Sequence, residues 1–157
     1  MGTARVYIGS PKGIVLCVDR RTKGIIEGTL FHGYEREGLP FFGFEDVLRK
    51  AEALFDMLGF PHRGTREPSF EKAARKKAGR SETAERMAKV MSDEELLRQH
   101  GDLGTFVIRV RHRQHSTWQG LVTCMETGEE IPFRSALELM KLIDGVLDRT
   151  EQKTVSE

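Results

Sequence analysis

With 157 residues, 38% of them apolar and 31% charged, the chain is long enough for one respectable core, or for two small lobes sharing one. A formal charge of +1 argues against a general polyanion binder, and two cysteines, Cys17 and Cys124, are too few and too far apart for a disulfide framework. No apolar run is long enough to cross a bilayer and no leader or lipidation motif is visible, so a soluble, cytoplasmic protein is expected, with no membrane partner.

Taken in order, Ala4 to Ile8 reads as an extra strand, and Ser10-Pro11-Lys12-Gly13 as a turn leading out of it. Strands follow over Ile14 to Arg20 and Ile25 to His32, joined by a turn at Arg21 to Gly24, and a short third strand covers Leu39 to Phe42. Phe44 to Leu58 is a predicted helix whose Val47, Leu48, Ala51, Leu54 and Phe55 share one face, with Gly59 and Pro61 as its stop signal. Residues 61–100 change character: Lys72, Arg75, Lys76, Lys77 and Arg80 crowd one short, mobile stretch that Gly79 interrupts. Ser81 is the expected cap of a helix from Glu82 to Met91. Ser92 and Glu95 form a capping box for another, closed by Gly101.

The last third carries the clearest pattern. Phe106, Ile108 and Val110 alternate with Arg109, Arg111 and Arg113, which is strand spacing. A polar break at Gln114 to Thr117 leads into a second strand, Trp118 to Met125; Thr127-Gly128 turns the chain, and Glu129 to Phe133 is a short third strand. Ser135 and Glu138 make a capping box, so a helix is expected from Ala136, with Leu139, Met140, Ile143, Val146 and Leu147 as its apolar stripe. Thr150 to Glu157 reads as a frayed tail.

Sliding the chain against itself by 92 residues, with no gap, matches eight positions: Val15 with Val107, Val18 with Val110, Arg21 with Arg113, Gly28 with Gly120, Glu37 with Glu129, Pro40 with Pro132, Phe41 with Phe133 and Asp56 with Asp148. Average residue usage predicts about two or three coincidences over such a span. The expected fold is therefore α+β, a tandem repeat of a β-β-β-α unit joined by a partly helical basic connector. The divisions are residues 1–60 for the first repeat with its extra strand, 61–100 for the connector, 101–150 for the second repeat and 151–157 for the tail.

A search for chemistry finds no Gly-rich phosphate loop, no paired-cysteine metal spacing and no Gly-flanked serine elbow. His100, His112, His115 and Cys124 match no familiar metal spacing, and both cysteines fall in predicted strands as small hydrophobes. No catalysis, cofactor, metal or small-molecule substrate is expected. The arginine face is the better candidate. With the second hairpin centred between His115 and Ser116, Arg113 lies opposite Trp118 and Arg111 opposite Gly120, so guanidinium groups and an indole share a surface able to grip phosphates and stack on bases, with room at the glycine for a partner's backbone. The alternative is a face whose arginines pair with the protein's own carboxylates. This register also places Val122, Cys124, Ile131 and Phe133 on the arginine side, which calls for two sheets packed face to face with projecting arginine tips, or for a bulge near Thr123.

Two resemblances follow from these residues. Ser116-Thr117-Trp118-Gln119-Gly120, with Phe133-Arg134-Ser135-Ala136-Leu137-Glu138-Leu139 and Lys141-Leu142-Ile143-Asp144, resembles a motif of short uncharacterised proteins from Firmicute bacteria, a likeness that implies no function. In layout the second repeat is similar to AP2-type and integrase arm-binding domains, in which a three-stranded sheet backed by a helix enters the major groove. That likeness implies Arg109, Arg111, Arg113 and Trp118 as contact positions. The functional expectation is a non-enzymatic binding protein. A nucleic-acid contact would use Arg109, Arg111, Arg113, Trp118, Arg20 and Arg21 together with Lys72, Arg75, Lys76, Lys77 and Arg80 of the connector; the alternative is a protein-binding adaptor or inhibitor, such as a mobile-element protein that blocks a host defence complex.

Overall fold

The computed structural model describes residues 13–59, 90–113 and 117–155. The expected strand at Ala4 to Ile8, its turn, the basic cluster from Lys72 to Arg80 and most of the predicted Glu82 to Met91 helix lie outside the described residues.

The chain is α+β. Strands β1 (Gly13–Thr22), β2 (Ile25–Phe31) and β3 (Leu39–Phe42) precede helix α1 (Phe44–Leu58). A short helix α2 (Asp93–Leu97) comes next, and then β4 (Gly104–His112), β5 (Gln119–Cys124), β6 (Glu130–Phe133) and helix α3 (Ala136–Val155). All six strands form one antiparallel sheet in the order β3-β2-β1-β4-β5-β6. The order strand, strand, strand, helix thus occurs twice, and the two sets meet edge to edge where β1 pairs with β4 through Val15 and Val107. The expected face-to-face packing of two sheets is corrected: joining them at β1 and β4 satisfies both central ladders and leaves one continuous surface for the helices.

Alternation decides what each face holds. Ile14, Leu16 and Val18 on β1, Leu30 and Phe41 beside them, and Phe106, Ile108, Val110, Val122, Cys124 and Phe133 on the other half share one core with Val47, Ala51, Leu54, Phe55 and Leu58 of α1 and Leu139, Ile143 and Leu147 of α3. The opposite face has a smaller cluster of Val15, Cys17 and Val107, covered by Met91 and by Leu96 of α2. Ser92 caps α2, accepting from the Glu95 N–H at 3.2 Å, and Ser135 caps α3, accepting from the Glu138 N–H at 3.0 Å. The carboxylate of Glu138 does not complete its box but lies 3.4 Å from Arg134. The segment expected to fray is helical as far as Val155.

Both long strands carry a bulge, between Val18 and Arg20 in β1 and between Val110 and His112 in β4. Each faces a glycine across the ladder, since Gly28 pairs with Val18 and Gly120 with Val110. A Cβ at Gly28 would stand 1.9 Å from the Cys17 carbonyl oxygen, and one at Gly120 2.0 Å from that of Arg109. The space expected at Gly120 for a partner's backbone is therefore filled by the chain itself. The bulge lies at Arg111 rather than near Thr123. It sets Val122, Cys124 and Phe133 on the core face without conflict.

Candidate functional site

The bulges decide where the arginines go. By adding one residue to the strand, each bulge turns the second residue after it toward the helices. Arg113 is 4% exposed, and its Nη1 donates to Glu52 Oε2 at 3.0 Å and to Asp56 Oδ1 at 2.8 Å, both on α1. Its guanidinium carbon sits 5.6 Å from the centre of the Phe55 ring. Trp118 is 2% exposed, donates from Nε1 to Glu52 Oε1 at 2.6 Å and meets Phe55 edge to face. Arg113 and Trp118 do share a surface, but it is an inner one, so the expected outward grip by these two residues is corrected: a carboxylate pair on α1 already occupies their polar atoms.

Arg21 makes the mirror arrangement. It reaches from the end of β1 to α3, with Asp148 at 2.5 Å, Asp144 at 3.6 Å and Glu151 at 3.9 Å, and this company raises its already high pKa, the Asp148 hydrogen bond first. Each half thus sends an arginine to the other half's helix. Arg109 lies on the face away from the helices, 2.6 Å from Glu130, so the strand-spaced arginines do not form one row. Arg20 and Arg111 remain exposed, at opposite ends of the central strand pair and on the order of 25 Å apart at about 3.3 Å per residue. Lys72, Arg75, Lys76, Lys77 and Arg80 lie outside the described residues.

Six large apolar side chains are exposed among the described residues, Ile25, Phe42, Met57, Val90, Ile131 and Leu137, and the strand register brings the first two to one corner. Phe42 at the end of β3 is 63% exposed, and Ile25 at the start of β2 is 42% exposed. The two strands pair so that Glu27 faces Phe42, and the Gly43 N–H donates to the Ile26 carbonyl at 2.7 Å, which sets Ile25 beside Phe42. Both side chains follow Glu27 onto the sheet face away from α1, because Ile26 and Phe41 point into the core. Alternation within Leu39 to Phe42 does not say which of the two phenylalanines faces the core; the register against Glu27 does.

Among the described residues no group of three or more His, Cys, Asp or Glu side chains is placed to hold a metal, and no helix is long and apolar enough to cross a membrane. Cys17 is buried, and burial, with Asp19 and Glu126 adding to it, pushes its thiol pKa up to about 12, so it is not a nucleophile at neutral pH. Comparison of the chain with protein-family models, curated proteins and solved structures finds no match.

Proposed function

We propose that this chain is a non-enzymatic binding protein, built by duplication of a β-β-β-α unit, that holds a protein partner on the corner formed by Ile25 and Phe42. The observation that carries this reading is a phenylalanine 63% exposed beside an isoleucine 42% exposed, on a sheet face that the two long helices leave open. Large apolar groups gathered at one spot are costly in water and mark recognition surfaces, with a central aromatic as the usual anchor. The duplication is supported by the reciprocal arginine contacts and by the paired bulges, each repeated at the same spacing in the chain.

The second reading, a nucleic-acid contact, is favoured by the exposure of Arg20 and Arg111 and by the basic connector. In an AP2-like layout the contact face is the one away from the helix, and here α2 and Met91 cover the centre of that face. A salt series separates the two readings. Partner capture that survives raised salt and is lost in Phe42→Asp supports the protein reading, while affinity for generic duplex or single-stranded DNA or RNA that falls steeply with salt and ignores Phe42→Asp supports the other. Capture that is unchanged by Phe42→Asp and Ile25→Asp together overturns the proposed corner.

A further inference from the structure

The turn after β2 holds a histidine in an unusual position. His32 is 5% exposed, and its Nδ1 accepts the backbone N–H of Tyr34 at 3.1 Å. The ring proton therefore sits on Nε2, which lies 3.5 Å from Glu35 Oε2. The Tyr34 ring lies tilted beside the imidazole at 6.3 Å, and Glu35 is the charged group among the described residues that acts on it. The next residue carries a second load. The Gly33 carbonyl accepts from both Val90, at 2.7 Å, and Met91, at 3.0 Å, and so ties down the start of the segment that lays Met91 and Leu96 over Val15, Cys17 and Val107.

We propose that His32 is a pH-sensitive latch: protonation at Nδ1 turns its acceptor into a second donor facing the Tyr34 N–H, opens the His32–Gly33–Tyr34 turn, and frees residues 90–97 from the sheet face they cover. An imidazolium needs an acceptor at each nitrogen, whereas among the described residues the group bonded at Nδ1 is a backbone donor. Burial lowers the His32 pKa, with Glu35 opposing, which agrees with a closed state that prefers the neutral ring. The sign follows: the latch's stability is fully present above the open-state value of 6.5 and is lost as pH falls through the lower closed-state pKa. The segment released is short, packed on the sheet through Met91 and Leu96 and tied by its backbone, among the described residues, to one carbonyl, so it can open while the larger helix-covered core stays folded. This device goes beyond the binding reading above and stands without it.

The test uses Cys17, which the segment covers. In the full chain carrying Cys124→Ser, labelling of Cys17 by 4,4'-dithiodipyridine, a reagent active in acid, is measured from about pH 7.5 to about pH 5 and divided by the rate in denaturant at each pH. The normalised rate rises as pH falls, tenfold for each unit by which the ring's pKa in the open state exceeds that in the closed state. In His32→Asn, whose side-chain oxygen replaces the Nδ1 acceptor and cannot titrate, the rate stays at its neutral-pH value. Glu35→Gln, a change at an exposed residue, moves the midpoint to lower pH. Trp118 emission stays constant throughout, since the opposite core is untouched. A flat profile in the parent protein, an unaltered midpoint in Glu35→Gln, a His32→Asn profile that follows the parent, or Trp118 emission that changes in step with labelling would each overturn the latch.

Discussion

The two halves of the sheet hold their arginines in the same geometry but in different surroundings. Arg113 sits under α1 with the Phe55 ring against its guanidinium and Trp118 donating to one of its carboxylates. Arg21 sits under α3 with no ring shown against it among the described residues; its side chain is 13% open to water against 5% for Arg113, and its three acidic partners are each a third or more open, against 28% for Glu52 and 46% for Asp56. Distance alone would not favour Arg113, whose bonds of 3.0 and 2.8 Å are longer than the 2.5 Å bond of Arg21. Surroundings separate them, because a charge pair is worth most, and is dearest to break, where water is kept away.

The largest effect is expected at Arg113. Arg113→Ala removes a buried cation from between Glu52 and Asp56 and opens a gap against Phe55, costing about 4 kcal/mol, read as a lower urea midpoint at constant slope. The glycines test where the halves agree. Gly28→Ala and Gly120→Ala each force a Cβ onto a carbonyl oxygen, so each costs about 3 kcal/mol, and unequal costs would show that one bulge relaxes more readily than the other. Arg21→Ala costs less than Arg113→Ala, about 1 to 2 kcal/mol, because its carboxylate partners are open to water, and its cost shrinks more with added salt; equal salt dependence in the two variants would break the comparison.

The smallest effect lies at the start of α1. Asp46 is held below its usual pKa, first by its hydrogen bond with the Lys50 ammonium and then by the Phe42 N–H. A lowered folded-state pKa means a contribution present above 3.8 and lost as pH falls through and below that value. Asp46→Asn should therefore melt slightly below the parent at neutral pH and match it in strong acid. A gap that persists in acid would rule out charge as its source.

Local elements were legible in the sequence because local rules govern them. Helices begin at Phe44 and Ala136 as their apolar stripes require, the second also capped by Ser135, and Leu39 to Phe42 is a strand. The destination of the arginines was not legible, because Arg113 meets partners 61 and 57 residues away and no pattern within one strand reports such a distance. A signal did exist in the identities at the 92-residue spacing. Arg21 and Arg113, Asp56 and Asp148, and Gly28 and Gly120 are among the eight matches, and together they make the two reciprocal contacts and the two bulges. Read as a set of partners, those identities contain the inward turn of the arginines; read strand by strand, they suggest an outward row. The exposed corner was missed for a different reason, since Phe42 looks like core in a short apolar strand until its register against Glu27 is known.

One detail of β3 limits how any partner can approach. Its outer rim is closed by α1, for the Pro40 carbonyl accepts the Lys50 ammonium, the Phe42 N–H donates to Asp46 at 3.1 Å, and Pro40 itself has no N–H to offer. A visiting strand would find the Pro40 carbonyl and the Phe42 N–H already engaged and no N–H at Pro40, which disfavours lengthening the sheet on this side by a peptide or by another molecule of the same kind. Whatever settles on the neighbouring phenylalanine must be recognised by its side chains, which makes shape and greasiness, rather than backbone pairing, the currency of selectivity.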